Sequence, residues 1–289
     1  MTKHIGIIGH GFVGRAVQFG FDTDNTDVRI ADPRYSTSAK DLFNQHGYDP
    51  KVVFICVPTP MASDGSIDAS ILLDVCEELR DYGNGCVAVI KSTVTPDKLR
   101  ECINVYENLV YSPEFLREAT AEHDFVNPDM HVFGCDKFEP ASAVVELYNN
   151  YSKCEPCPYF LVRPEVASLV KYTINSFLAT KVTFFNELYD IFTQMGIPDY
   201  YESLTEILSF DPRMGSSHMQ VPGPDGRRGF GGACFAKDTA AFSKFSELAA
   251  ADFMLLNEAI KINSHYRGQY DELDDREKEQ NVNYGFNVA

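Results

Sequence analysis

No apolar run in the 289 residues approaches the ~18 residues that a membrane-spanning helix needs, so no transmembrane segment and no membrane partner are expected. Basic residues are scarce: 25 Lys and Arg stand against 42 Asp and Glu, for a formal net charge of −17. Nucleic acids and anionic membranes are bound through basic faces, so this balance argues against both as bulk-charge partners and leaves room only for a local basic pocket. A secretion signal is not expected either. In MTKHIGIIGHGFVG one Lys is followed at once by a glycine-punctuated strand, with no small-residue cleavage site. That implies a cytoplasmic, reducing setting, in which the 8 cysteines are thiols. Cys56 and Cys76 lie in apolar runs, where Cys behaves as a small hydrophobe. Cys154 and Cys157 form a CxxC pair, but no second CxxC and no HxxxH accompanies it. No metal is therefore expected, and the pair reads as a reduced loop, with metal or redox work as the alternative. No internal repeat is present.

The length suggests about two domains, and 44% apolar residues suffice for two cores. Up to about residue 163, short β-rich runs at Ile5–Ile8, Val28–Ala31, Val52–Val57, Val87–Ile90, Leu109–Tyr111 and Met130–Phe133 alternate with helix-like stretches. Alternation of this kind predicts a Rossmann-like α/β domain, a doubly wound parallel sheet wrapped by helices. The runs are continuous rather than alternating, as strands buried on both faces require. From Glu165 to Met195 neither Gly nor Pro occurs, and apolar residues from Val166 to Phe192 recur every three or four positions. The spacing predicts one helix about 46 Å long, opening an all-helical domain over 164–270. A homodimer built on this helix is expected, because one small domain does not cover so much apolar surface. A loose polar tail is expected over 271–289.

Gly9, Gly11 and Gly14 follow a strand and open a helix. Glycines there permit a tight turn, close approach of a pyrophosphate, and close helix–strand packing, and the helix N-terminus adds positive potential. Phe12 and Val13 complete the turn. Asp32 ends the second strand, where a carboxylate accepts hydrogen bonds from a ribose diol and repels a 2′-phosphate. NAD is therefore the expected cofactor, a preference that Arg34 weakens slightly. Val57 and Thr59, and Ser92 and Thr93, follow two further strands of the same sheet and are expected to face cofactor or substrate. A structural reading competes there, with Thr95 and Pro96 simply starting a helix.

Three further groups carry chemistry. Glu114 and Glu118 are four apart and share a face if helical, one suited to be a base and the other a hydroxyl binder; solvated charges are the alternative. Lys171 and Asn175 lie one turn apart on the long helix among apolar residues, where an amine and an amide can hold an oxyanion; a snorkelling Lys and a satisfied Asn are the alternative. Gly229, Phe230, Gly231 and Gly232 lead into Cys234, with Asp238 a turn beyond. A thiol at the start of a helix gains thiolate character from the helix N-terminus and nearby cations and can act as a nucleophile; a turn with a buried Cys is the alternative.

These motifs occur in one order, with CVPTP at 56–60, KSTVTP at 91–96, SPEFLREATA at 112–121, EVASLVKYTINSF at 165–177, DPRMG at 211–215 and GFGGACFAKD at 229–238. In that order the chain resembles the UDP-glucose/GDP-mannose dehydrogenases over roughly residues 4–268. These are NAD-dependent enzymes that oxidise a nucleotide-sugar alcohol to a carboxylate. The resemblance implies that Cys234 captures an aldehyde as a thiohemiacetal, which is then oxidised to a thioester and hydrolysed. It implies that Lys171 and Asn175 hold the oxyanion, that Asp238 assists proton transfer, and that Glu114 with Thr93 activates water. It places Glu118 against both sugar and cofactor. It also assigns the stretch Glu114, Phe115, Leu116 and Arg117, together with Arg213, Gly229, Phe230 and Gly231, to the nucleotide-sugar substrate. The intact PEFLRE favours UDP-glucose or GDP-mannose, with UDP-glucose first.

Departures also carry expectations. Members of that family run on into a second Rossmann-like domain that grips the nucleotide, and this domain is expected to be missing here. Asp97 stands where the family usually has Gly, and Ala236 where it often has Pro. The loop from Pro222 to Gly229 is longer than usual, and its Arg227 and Arg228 read either as a diphosphate clamp or as solvated. Two other functions compete. One is a β-hydroxyacid dehydrogenase, which also uses a Lys and an Asn one turn apart but needs no Cys. The other is a partner-dependent enzyme or an NAD-binding remnant.

Overall fold

In a computed structural model describing residues 2–285, the alternation of the first half becomes one sheet and its helices. The strands are β1 (Lys3–Ile8), β2 (Thr26–Ala31), β3 (Val52–Ile55), β4 (Val87–Ile90), β5 (Leu109–Tyr111), β6 (His131–Gly134) and β7 (Tyr159–Val162). Between them run α1 (Phe12–Phe21), α2 (Ala39–Phe43), α3 (Ser70–Tyr82), α4 (Pro96–Val105), α5 (Ala121–Val126) and α6 (Phe138–Tyr151). Among the described residues the sheet order is β2-β1-β3-β4-β5-β6-β7. Strands β1 to β5 pair parallel, β6 returns antiparallel to β5, and β7 pairs parallel to β6. Strand β7 lies at the sheet edge with Tyr159, Phe160 and Leu161 exposed, and its run YFLV is absent from the strands expected above.

Side chains alternate across this sheet, so each strand feeds two cores. Ile5, Ile7, Phe54 and Val89 pack with Val17 and Phe21 of α1 and Val144 and Leu147 of α6. Val53, Ile55, Ala88 and Ile90 pack with Leu72 and Leu79 of α3 and Leu99 and Cys102 of α4. Cys56 and Cys76 lie in these cores, as their apolar surroundings predict. The order reverses at β1, so the carboxyl ends of β1 and β3 open the crevice where doubly wound sheets take ligands.

The long helix is present as α7 (Pro164–Gln194), followed by α8 (Tyr201–Ser209), α9 (Gly232–Leu248), α10 (Met254–Arg267) and a short α11 (Asp275–Glu279). The chain forms two units. The first runs to Thr59 and resumes over Asp68–Lys171; the second holds Pro60–Ile67 and the chain from Tyr172 onward. The division thus falls inside α7 rather than at Pro164. The first turns of α7 pack in the sheet unit, where Ala167 joins a core and Ser168 Oγ donates to the Val94 carbonyl at 2.7 Å. Pro60–Ile67 joins the helical unit, with the Met61 N–H donating to the Gln280 carbonyl at 2.9 Å.

The expected loose tail is corrected by the structure as far as residue 285; residues 286–289 lie outside the described residues. Asp274 and Glu277 form a capping box on α11. Val282 and Tyr284 are buried against Ala236, and Glu277 is fully buried. The tail composition is polar, but its few apolar groups and one carboxylate face a prepared site.

Candidate active site

In the first unit the three glycines of the turn have different physical reasons. Gly9 sits at φ +88°, and a Cβ there would meet the Cys56 carbonyl oxygen at 2.6 Å. A Cβ on Gly14 would lie 2.1 Å from the Gly9 oxygen. Gly11 has ordinary φ, and nothing lies within 4 Å of the place its Cβ would take. Gly9 and Gly14 are therefore required by packing, whereas Gly11 leaves an open cradle at the helix N-terminus. Gly11 is the N-cap of α1 and makes no side-chain cap bond, and the first turn carries no acidic residue, so its N–H groups suit a phosphate. Phe12 and Val13, half-buried, begin α1.

Asp32 lies one strand away, buried at the end of β2. Its carboxylate accepts from the His10 N–H at 2.6 Å, the Arg34 N–H at 2.9 Å and the Arg34 guanidinium at 2.9 Å. The Arg34 side chain, ahead of opposing burial, holds this carboxyl well below the usual carboxylate range. The open Gly11 cradle and an ionised Asp32 together fit a dinucleotide with a free ribose diol.

The loops after β3 and β4 are tied to one another. Thr59 Oγ1 donates to the Thr93 carbonyl at 2.8 Å, and Ser92 Oγ donates to the Val57 carbonyl at 2.7 Å. These two hydroxyl protons are committed to the main chain, while the Thr93 side chain is half-buried.

Glu114 and Glu118 do not share a helix face, which corrects that expectation. Residues 112–117 are irregular, and Glu118 opens a short 3₁₀ turn ahead of α5. The Pro at 113 and the tight turn at 118–120 leave no helix for the four-residue spacing to act on. Glu114 is instead gripped at both ends. Its carboxylate is ion-paired with Lys91, whose ammonium also donates to Ser112 Oγ at 2.9 Å and the Tyr148 hydroxyl at 3.2 Å. Its carbonyl accepts from Lys171 Nζ at 2.7 Å, and that ammonium lies 5.6 Å from the Phe115 ring centre. Phe115 and Leu116 are half-buried against the cores. Arg117 is exposed and forms a bidentate pair with Asp124. The sequence reading gives Lys91 no role, although it opens the KSTVTP motif just past an apolar strand.

The second unit carries the thiol. Gly231 caps α9, and Cys234 lies exposed in its first turn. The glycines before it are needed by neighbours: a Cβ on Gly229 would meet Asn263 Oδ1 at 2.4 Å, and one on Gly231 would meet the Arg267 guanidinium at 2.0 Å. Phe230 is buried, its N–H and carbonyl both bonded to the Asn263 amide. Arg267, packed against Gly231, is ion-paired with both Asp225 and Glu277. Glu277 also accepts the Gly232 N–H at 3.0 Å, so the first turn of α9 is capped from the C-terminal segment.

Asp238, one turn past Cys234, is buried. It accepts from Asn175 Nδ2 at 2.6 Å and from Lys237 Nζ at 2.7 Å. Asn175 and Asp238 are thus brought together as the sequence spacing alone does not reveal. Arg227 and Arg228, candidates for a diphosphate clamp, are both engaged inside this unit. Arg228 pairs with Asp190 at 2.6 Å, bonds the Asn186 carbonyl and stacks on Tyr266, while Arg227 donates to the Glu272 carbonyl. They anchor the long loop. Arg213 is exposed and pairs with Asp211 at 2.6 Å. The Cys154 thiol donates to the Phe125 carbonyl, and burial pushes it up to about 11, which suits an inert structural thiol.

Two family models match the chain in succession. The NAD-binding domain of the UDP-glucose/GDP-mannose dehydrogenase family matches residues 34–152, and the central domain of that family matches residues 165–265. The first match begins after the glycine turn, so the turn is read from its own geometry. An uncharacterized protein of Methanocaldococcus jannaschii is 32% identical over 83% of this chain and 30% of its own length. The UDP-glucose 6-dehydrogenase of Rickettsia felis is 34% identical over 77% of this chain and 49% of its own. The chain thus spans about half the length, or less, of these curated relatives. Among solved structures, a UDP-glucose dehydrogenase from Pyrobaculum islandicum aligns with a TM-score of 0.76 at 27% identity, over 93% of this chain and 70% of that one.

Proposed function

We propose that this chain, which belongs to the UDP-glucose/GDP-mannose dehydrogenase family, oxidises the C6 alcohol of a nucleotide sugar to the carboxylate, with UDP-glucose as first substrate. The observation that carries the reading is the exposed Cys234 in a glycine-led first turn of α9, with a buried Asp238 one turn behind it between Asn175 and Lys237. A single two-electron oxidation needs no nucleophile, whereas passing from aldehyde to acid needs the carbonyl carbon captured and then released to water.

The Gly9–Gly14 turn would hold the pyrophosphate of NAD and Asp32 its ribose diol, and the cofactor would supply the hydride acceptor for both oxidations, so that one sugar would yield two NADH and consume one water. Cys234 Sγ bonds the aldehyde carbon, and its proton leaves by way of an Asp238 carboxylate oxygen. Lys171 Nζ and Asn175 Nδ2 donate to the oxyanion. After the second oxidation, Glu114 takes a proton from water, whose oxygen attacks the thioester; the C–S bond breaks and the thiol is restored. Glu118, Arg117 and Arg213 orient the substrate. The protein acts as a homodimer through α7, where Phe177, Phe184 and Ile191 recur every seven residues and are 68%, 59% and 54% exposed. A monodisperse monomer at micromolar concentration would overturn the dimer.

The test counts NADH by absorbance against limiting UDP-glucose, UDP-galactose, GDP-mannose and UDP-N-acetylmannosamine. Two NADH per UDP-glucose is the expected result, and Cys234→Ala abolishes acid formation. One NADH per sugar, no NADH with any sugar, or full turnover by Cys234→Ala refutes the reading.

A further inference from the structure

One buried cation of the first unit has no part in the steps above. The Lys91 side chain is 1% exposed, at the carboxyl end of β4. Its ammonium has three protons to donate, and three acceptors surround it: Ser112 Oγ, the Tyr148 hydroxyl and the Glu114 carboxylate. An uncharged chain of the same length would fill this space without the desolvation that a buried ammonium costs. Ser112 and Tyr148 are neutral and do not by themselves need a cation. Of the three partners only Glu114 carries charge, and the Lys171 bond to the Glu114 carbonyl fixes the other end of that residue.

We infer that Lys91 is a positioning residue for Glu114: it sets the direction of the carboxylate and supplies the countercharge under which that carboxylate receives a proton. This rests on the role proposed above for Glu114. The groups packed around the pair come from several elements: Tyr148 on α6, His131 on β6, Cys56 just past β3, Cys154 after α6, and Lys171 on α7. Burial, then the charge of Lys91, pushes His131 down to about 4, and burial pushes Cys154 up to about 11. Burial also raises Tyr148 and Cys56 above their ordinary values. These four neighbours therefore keep one protonation state across the neutral range.

The experiment compares kcat against pH for the wild type, Lys91→Met, Lys91→Gln, Lys91→Arg and Glu114→Gln, with UDP-glucose and NAD. Removing a cation within contact of a carboxylate favours its protonated form. The neutral variants are expected to move the acidic limb of the profile up by about one pH unit or more, and Lys91→Arg to restore most of the shift. KM for NAD stays within about twofold, since Lys91 touches no part of the glycine turn. If Glu114→Gln keeps full activity, the role of Glu114 itself falls. If Glu114→Gln is inactive but the neutral Lys91 variants keep the wild-type profile, this inference alone is overturned. Loss of fold in both neutral variants overturns it too, because the ammonium then serves the core and not the carboxylate.

Discussion

Glu277 offers the sharpest test of the C-terminal segment, because a residue in a stretch read as loose should tolerate any substitution. In the structure its carboxylate takes the Arg267 guanidinium at 2.8 Å, the Tyr284 hydroxyl at 2.7 Å, the Gly232 N–H at 3.0 Å and the Asp274 N–H at 2.9 Å. The two charged side chains are 0% and 2% exposed. Glu277→Ala leaves Arg267 buried with Asp225 as its remaining carboxylate, which is itself partly exposed. Breaking a buried pair from one side costs about 3–5 kcal/mol. At roughly 2–4 °C per kcal/mol, the Tm of this unit should fall by about 6–20 °C. Calorimetry checks the shift, and a Tm within about 2 °C of wild type refutes the claim that the segment is part of the fold. The pH dependence has a definite sign. Burial pushes the Glu277 carboxyl up, but the Tyr284 hydroxyl, the two N–H groups and Arg267 outweigh it, so it titrates below its ordinary 4.5. A depressed carboxylate stabilises the fold above its unfolded value, and that share is lost as pH falls below about 4.5. In Glu277→Ala this share of the acid sensitivity should be absent.

Three further outcomes concern the glycine turn, Asp32 and His131. Gly11→Ala should leave Tm nearly unchanged yet weaken NAD binding, whereas Gly14→Ala should fold poorly, because its Cβ would fall 2.1 Å from a backbone oxygen; calorimetry with an NAD titration separates the two. Asp32→Asn, which keeps the shape and removes the charge, should weaken NAD by about 5–30-fold, equivalent to about 1–2 kcal/mol of a charge-assisted bond, and equal NAD affinity would refute the ribose assignment. His131, held down to about 4 by burial, binds its proton more readily unfolded; wild-type stability should therefore fall as pH drops below about 6.5, and His131→Phe should flatten that slope in urea titrations.

The sheet, the long helix and the glycine turn were legible because each rests on local periodicity. Continuous apolar runs such as Val52–Ile55, alternating with helix-like stretches, suit strands buried on both faces, and apolar residues recurring every three or four positions through the Gly- and Pro-free run Glu165–Met195 suit one long helix. The misreadings have two causes, local backbone breaks and partners distant in sequence. Glu114 and Glu118 looked like helix neighbours, but Pro113 and the short 3₁₀ turn at Glu118–Thr120 interrupt any helix there, and Lys91, 23 positions earlier, takes the Glu114 carboxylate. Arg228 looked free to clamp a phosphate, but Asp190 and Tyr266 take it from two other helices.

The loop before Cys234 shows why motif and mechanism must be separated. Read as sequence, glycines at 229 and 231 announce close approach to a ligand. Read as structure, they announce close approach of Asn263 and Arg267, both from α10. Arg267 then reaches Glu277, and Glu277 reaches back to the N–H that opens the Cys234 helix. The glycines thus serve a closed circuit of three elements, α9, α10 and α11, that fixes where the thiol stands. Side chains at either position would push Arg267 or Asn263 aside and shift Cys234 before any substrate arrived. Gly11 is the opposite case, with nothing within 4 Å of the place its Cβ would take. The same residue type in two glycine-rich loops therefore meets two different surroundings, packed protein in one and open space at a helix N-terminus in the other.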